Sequence, residues 1–245
     1  MKKTEPKKKA SSISSKPKKK VVKKVKKAGV EGEEYWANRP VDDSRLDWRN
    51  GAGSWIEEYV ASTDHPHREL IVNALKAVYP FAGILEVGCN AGPNLIRLSD
   101  AFPETQLAGV DTNASAILKA REVLPGAIFK VGSLTHLPFG DQEFDVGLAD
   151  AVFLYADPNS TRQAAEELKR VIRKYLVLVE WHDESKEGVV KDFHWTRNYP
   201  ALFEEYGFSL VEDKPLSKAD WPNEKWATHG HIYVLVRQSP TSATN

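Results

Sequence analysis

The residues with the most chemical content lie in one short run, ILEVGCNAGPNL, from Ile84 to Leu95. Ile84, Leu85 and Val87 read as a buried strand, a tight Gly-rich turn follows, and a helix opens at Pro93 or Asn94. Glu86 places a carboxylate near the strand end, and Gly88 and Gly92 stand four residues apart. Glycine accepts backbone angles and close approaches that a Cβ blocks. A ligand can therefore lie against the main-chain N–H groups of such a turn and the helix start behind it. The spacing sorts the ligands. A dinucleotide fingerprint places glycines at the first, third and sixth turn positions, where this chain has Gly88, Asn90 and Pro93, and a GxxxxGK[ST] phosphate loop is absent. An ordinary strand–helix turn with another ligand, or none, is the bland alternative.

A second acid, Asp111, ends the apolar run QLAGVD, 23 residues beyond Gly88. A carboxylate at that place can accept both hydroxyls of a ribose. An Asp ahead of TNAS also suits a helix N-cap, although Asn113 fills that role as well.

These groups need a scaffold to hold them. A helix begins at Asp64 with Pro66 in its first turn and Leu70, Ile71, Ala74, Leu75 and Val78 on one face, and Pro80 stops it. Strand Ile84–Gly88 feeds a helix carrying Leu95, Leu98 and Phe102. Further strands are expected at QLAGVD, at 127–132, within 144–155 and at 175–181, with helices from Asn113 and from Ser160 to Arg170 between them. A helix at 199–206 ends at Gly207, and the strands SLVED and HIYVLVR close the chain, with His229 and His231 two apart on the last. Near-continuous apolar strands alternating with helices argue for an α/β, Rossmann-like, doubly wound parallel sheet covered on both faces. No further ligand accompanies the two histidines, so no metal is expected.

The formal net charge of zero hides an asymmetry: residues 1–28 carry 13 lysines and one acid, Glu5, and the rest holds 21 basic and 33 acidic residues. The expected organisation is a disordered basic tail at 1–30, a cap segment at 31–62, a globular domain at 63–238 and a disordered C-terminus at 239–245. The tail reads either as a weak contact for a polyanion or nucleic acid, or a nuclear address, or as a solubilising extension. A single cysteine, Cys89, excludes an internal disulfide, and neither a secretory signal nor a membrane span is visible. A cytoplasmic protein is expected, with the nucleus as the tail's alternative.

Together E-x-G-x-N-x-G at Glu86–Gly92, Asp111 and VGSLTHLPFGDQEFDVGLADAVFLYADP resemble the class I S-adenosylmethionine-dependent methyltransferases, of the type 11-like group, across roughly 35–238. Asn90 stands where that family more often has glycine, and Ser133 where it usually has an acid. The resemblance implies a seven-stranded, mainly parallel sheet with an antiparallel last strand, and S-adenosylmethionine as cofactor. It implies that Glu86, Gly88, Asn90 and Gly92 surround the methionine end and sulfonium, with Trp36 and Arg39 folding over them. Asp111 and Thr112 then hold the ribose, Ser133 and Leu134 edge the adenine, and Asp150 lines the cofactor.

The acceptor is less marked. The fourth strand runs on as LADAVFLYADP, without the [ND]PP[FYW] of exocyclic-amine methylases of DNA. All seven tryptophans fall in segments expected over the carboxyl edge of the sheet, as an aromatic acceptor pocket or as plain packing of a lid. His182 and His194 are the candidate general bases, each also readable as a loop histidine. The expected reaction is methylation of an oxygen or nitrogen of a small molecule. The rivals are an RNA or protein methylase recruited by the tail and a non-catalytic cofactor-binding module.

Overall fold

In the computed structural model, residues 1, 30–41, 43, 54–184, 187–191 and 194–238 are described. The Lys-rich segment beyond Met1, Trp48 with its neighbours, and residues 239–245 lie outside the described residues, and so do the expectations placed on them. Among the described residues the strands are β1 (Gly83–Val87), β2 (Gln106–Asp111), β3 (Ile128–Val131), β4 (Phe144–Asp150), β5 (Ile172–Trp181), β6 (Gly188–Lys191), β7 (His194–Thr196), β8 (Phe208–Pro215) and β9 (Gly230–Arg237). The helices are α1 (Val30–Ala37), α2 (Trp55–Ala61), α3 (His67–Ala77), α4 (Pro93–Ala101), α5 (Ala114–Val123), α6 (Pro158–Val171), α7 (Tyr199–Glu204) and α8 (Glu224–His229).

Seven strands form one sheet in the order β3-β2-β1-β4-β5-β9-β8. Neighbours from β3 through β5 run parallel, and β9 is antiparallel to both β5 and β8. Successive residues of a strand point to opposite faces. Ile84, Val146, Leu148, Val177 and Val179 therefore pack under α3, α4 and α5, while Leu85, Val87, Leu176 and Leu178 pack under α6 and α7. The strand order reverses between β1 and β4, which opens a crevice at their carboxyl ends.

Several local expectations shift. Helix α6 starts at Pro158, capped by the Asp157 carboxylate accepting from the N–H groups of Asn159 and Ser160. Asp157 beats Ser160 because Pro158 pre-sets the helical φ directly behind it. Strand β5 starts at Ile172, three residues ahead of Tyr175, because Arg173 and Lys174 reach Asp145 at 3.1 and 3.4 Å and remain in the sheet. The segment between β5 and α7, expected as loop, pairs β6 with β7. His229 ends α8 and is not on the last strand. The cap segment contributes α1 and α2, the latter closed by a Ser54–Glu57 capping box.

Candidate active site

The glycine turn is built by its left-handed positions. Gly88 (φ 71°) and Gly92 (φ 80°) flank Asn90 (φ 50°), and asparagine is among the few side chains that tolerate that region. A Cβ on Gly88 would lie 2.4 Å from Val152 Cγ2. The main-chain donors differ from expectation. Gly88 and Cys89 both donate to the Val110 carbonyl at 2.7 and 3.1 Å, and Gly92 donates to that of Cys89. Asn90 donates to Asp111 Oδ2 at 2.9 Å, and Ala91 to the Asn90 side chain at 2.8 Å. All five N–H groups hold the turn together, so it does not cradle a phosphate.

Asp111 ends β2, and its Oδ1 accepts from Asn113 N–H at 2.8 Å. Burial raises its pKa, while the N–H groups of Asn113, Asn90 and Thr112 oppose that shift. Asn113 is the N-cap of α5, accepting from Ser115 and Ala116, as expected. Its Nδ2 donates to the Trp36 carbonyl at 2.8 Å and the Arg39 carbonyl at 3.3 Å. One side chain thus starts a helix and fastens the end of α1 over the β2 edge. Arg39 is buried, with its guanidinium 4.3 Å from the Trp55 ring and 3.2 Å from Asp43.

The facing wall is polar and mostly buried. Asp150, last residue of β4, accepts from His67 Nε2 at 2.8 Å and Asn94 Nδ2 at 2.9 Å, with Arg68 Nη1 at 3.5 Å. These cationic and donor neighbours outweigh burial and bring its pKa down to about 2. Asn94 also donates to Glu86 Oε1 at 2.7 Å and accepts from Arg68. Burial pushes the Glu86 carboxyl up to about 8. Beyond Asp150 the chain turns through Ala151 in the left-handed region (φ 58°). Glu180 fixes that turn, accepting from the N–H groups of Val152, Phe153 and Leu154 at 2.8, 2.8 and 3.0 Å.

Between the walls lies a cavity of about 740 Å³. Of the residues proposed from the sequence, Trp36, Gly88, Asn90, Asp111, Thr112, Leu134 and Asp150 line it. Glu86, Gly92 and Arg39 stand behind that lining, and Ser133 is engaged with Thr135 in its own turn. His182 and His194 are not among the lining residues. His182 Nδ1 lies 2.6 Å from the Tyr233 hydroxyl, and His194 stacks on Trp181 at 5.1 Å. Trp36, Trp221 and Trp226 do line the cavity, while Trp55 and Trp181 are buried in packing. Sequence reasoning missed His65, His67, Arg68 and Asn94. The pattern DHPHREL reads as a solvated helix start, and only a polar pair opening an otherwise apolar helix hinted at more. Among the described residues there is no group of three or more His, Cys, Asp or Glu that could hold a metal, and no helix long and apolar enough to cross a membrane.

Residues 84–175 match the family model of the methyltransferase domain. An uncharacterized methyltransferase of Schizosaccharomyces pombe is 30% identical over 151 residues, spanning 56% of this chain and 51% of that protein. A trans-aconitate 2-methyltransferase of Rhodopseudomonas palustris is 36% identical over 78 residues, 31% of this chain and 29% of its own length. The chain thus spans about half, or less, of the curated relatives it matches. The magnesium protoporphyrin IX methyltransferase of Synechocystis, solved with S-adenosylhomocysteine bound, superposes with a TM-score of 0.62 at 16% identity, over 84% of this chain and 98% of that one. That likeness concerns the fold. With the domain match, the strand order and the turn–acid geometry in agreement, residues 84–175 match a methyltransferase domain set in a class I methyltransferase fold.

Proposed function

We propose that this protein transfers a methyl group from S-adenosylmethionine to an oxygen or nitrogen of a small molecule. The observation that carries the reading is a cavity that runs from Asp111 and Asn90 to the aromatic residues Tyr59, Tyr155, Trp221 and Trp226. Its volume falls in the roughly 300–1,000 Å³ range of small-ligand sites.

The buried polar atoms suit the cofactor. Asp150 Oδ1, Glu86 Oε2 and Trp36 Nε1 are buried with no hydrogen-bond partner among the described residues. Uncompensated burial of such atoms is costly, and two carboxylate oxygens at one end suit the positive charges of the methionine portion. The engaged N–H groups of the turn suit a ligand that brings no phosphate. Asp111 keeps acceptor capacity for ribose hydroxyls, since each carboxylate oxygen can accept more than one hydrogen bond.

S-adenosylmethionine supplies an electrophilic methyl group on a sulfonium. The chain's residues supply position: Asp111 and Thr112 hold the ribose, Leu134 borders the base, and Asp150, with Glu86 behind it, holds the charged end. Alignment of this kind is worth on the order of 7–11 kcal/mol. Relatives named for trans-aconitate and for phthiotriol and phenolphthiotriol dimycocerosates support a small-molecule acceptor.

The test is incubation with methyl-labelled S-adenosylmethionine against phenols, carboxylic acids and amines, with bulk RNA and protein in parallel. Label in the small-molecule fraction is expected. Label only in RNA or protein would contradict the acceptor class. Binding without transfer to any of them would favour a non-catalytic module.

A further inference from the structure

The lining of the cavity divides in two. Among the described residues, the part built from the glycine turn and the ends of β2 and β3 holds no aromatic ring. The part contributed by α1, α2, the turn after β4 and the segment that leads into α8 carries Trp36, Tyr59, Tyr155, Trp221 and Trp226. Four of these belong to one unbroken chain of ring contacts. Trp36 meets Tyr155 at 5.4 Å between centroids, Tyr155 meets His194 at 4.9 Å, His194 stacks on Trp181 at 5.1 Å, and Trp181 meets Trp226 at 5.8 Å. Trp226 stacks on Trp221 at 3.8 Å and 5°, and Trp221 lies on His67 at 4.1 Å and 25°. Each ring is held by another, so a planar guest finds its stacking partners already in place.

Charge narrows the guest further. The acids Glu33, Asp111 and Asp150 line the cavity, and among the described residues Arg68 is the only lysine or arginine that does. Its guanidinium donates to the carbonyl and the hydroxyl of Ser62, each at 2.8 Å, and to Asn94 Oδ1, and it stands 3.5 Å from Asp150. That positive charge is already committed to a carboxylate. Burial lowers the pKa of His67, so that ring does not add a second one. Burial also pushes the Tyr59 hydroxyl up to about 12 and raises that of Tyr155, so both stay uncharged. A carboxylate guest would face like charge and lose its hydration with no uncommitted cation to replace it.

Resting on the methyltransferase reading above, we propose that the methyl acceptor is an uncharged, planar aromatic compound. Its ring stacks among Trp36, Tyr155, Trp221 and Trp226, and it carries the hydroxyl or amine that is methylated. In the reaction that oxygen or nitrogen gives its lone pair to the methyl carbon. The carbon–sulfur bond breaks with its electron pair left on sulfur, and the acceptor's proton passes to water. A polycarboxylate such as trans-aconitate, for which relatives are named, falls outside this class.

The test is calorimetric titration of the full chain at pH 7, saturated with sinefungin, which keeps a positive charge in place of the sulfonium. The probes are 2-naphthol, its saturated counterpart decahydro-2-naphthol, 2-naphthoate and trans-aconitate. At that pH the phenol is uncharged and the carboxylates are ionised. 2-Naphthol should bind saturably and at least tenfold, about 1.4 kcal/mol, more tightly than each of the others. Trp221→Leu should weaken 2-naphthol about tenfold and leave sinefungin within about threefold, and Trp221→Phe should restore most of the loss. Absence of saturable 2-naphthol binding would overturn the proposal, as would equal or tighter binding of 2-naphthoate, trans-aconitate or decahydro-2-naphthol. So would a Trp221→Leu variant, folded by circular dichroism, that binds 2-naphthol as the wild type does. A folded wild type that binds no sinefungin would instead remove the methyltransferase reading, and the same four probes on the unloaded chain would still decide whether the rings form a site for an uncharged aromatic compound.

Discussion

On one wall of the cavity, the turn at Gly88–Gly92 and the carboxylate of Asp111 are joined by main-chain N–H groups, on consecutive strands, by bonds that span about twenty residues. On the other wall, His67 reaches Asp150 across 83 positions and Asn94 reaches it across 56, and Trp221 arrives from the loop before α8. The first wall is backbone shaped by residue type, with little slack. The second is a side-chain network whose members can be replaced singly with graded effect. A rigid wall suits a ligand that never changes, and an adjustable one suits whatever distinguishes one acceptor from another.

Breaking the rigid wall should give the largest effect. Gly88→Ala adds a Cβ 2.4 Å from Val152 Cγ2 at a φ of 71°. Affinity for S-adenosylhomocysteine should fall on the order of a hundredfold, about 2.7 kcal/mol, by calorimetry. Folding stability should drop by about 1–3 kcal/mol in a denaturant titration. An Ala variant that binds normally would show that the turn is not under the constraint described.

The join between the walls offers a sharper probe, Glu86. Burial holds its carboxyl at about 8, so it is mostly protonated at pH 7 before ligand arrives. A cation placed beside it lowers that value, and binding at pH 7 should release a proton, seen as a dependence of the binding enthalpy on buffer ionisation. Glu86→Gln should abolish the release. The same shift acts on folding: a carboxyl whose pKa is raised in the native state favours that state below its unfolded value and loses the advantage as pH rises through 8. Melting temperature should accordingly fall between about pH 5 and pH 8, less steeply in Glu86→Gln.

The adjustable wall should yield the smallest effect on the cofactor. Trp221→Ala removes the ring between His67 and Trp226 at a cost of about 0.5–1.5 kcal/mol per lost stacking partner, read as a lower melting temperature. Cofactor affinity should change by less than about 1 kcal/mol, since none of the polar contacts of Asp111 or Asn90 involves it. A large loss of cofactor affinity would mean that the two walls are not separable.

The same contrast explains what was legible in the sequence. The strands, the Asn113 cap and the turn–acid pairing announce themselves through short spacings that depend on backbone conformation. The engagement of the turn N–H groups was hidden because three of the five depend on where Val110 and Asp111 come to lie beside the turn. His67 and Arg68 were unreadable because a polar pair at a helix start looks the same whether it meets water or a carboxylate from β4. His182 and His194 drew attention as histidines following a strand, but Tyr233 and Trp181 are the neighbours that the fold gives them.

The most direct measurement is a calorimetric titration of the full chain with S-adenosylmethionine, wild type against Asp111→Ala, with circular dichroism to confirm that both are folded. Saturable binding to the wild type, weakened at least tenfold or about 1.4 kcal/mol by the substitution, is the predicted result. A folded wild type that binds no S-adenosylmethionine, or an Asp111→Ala variant that binds as tightly, would contradict it.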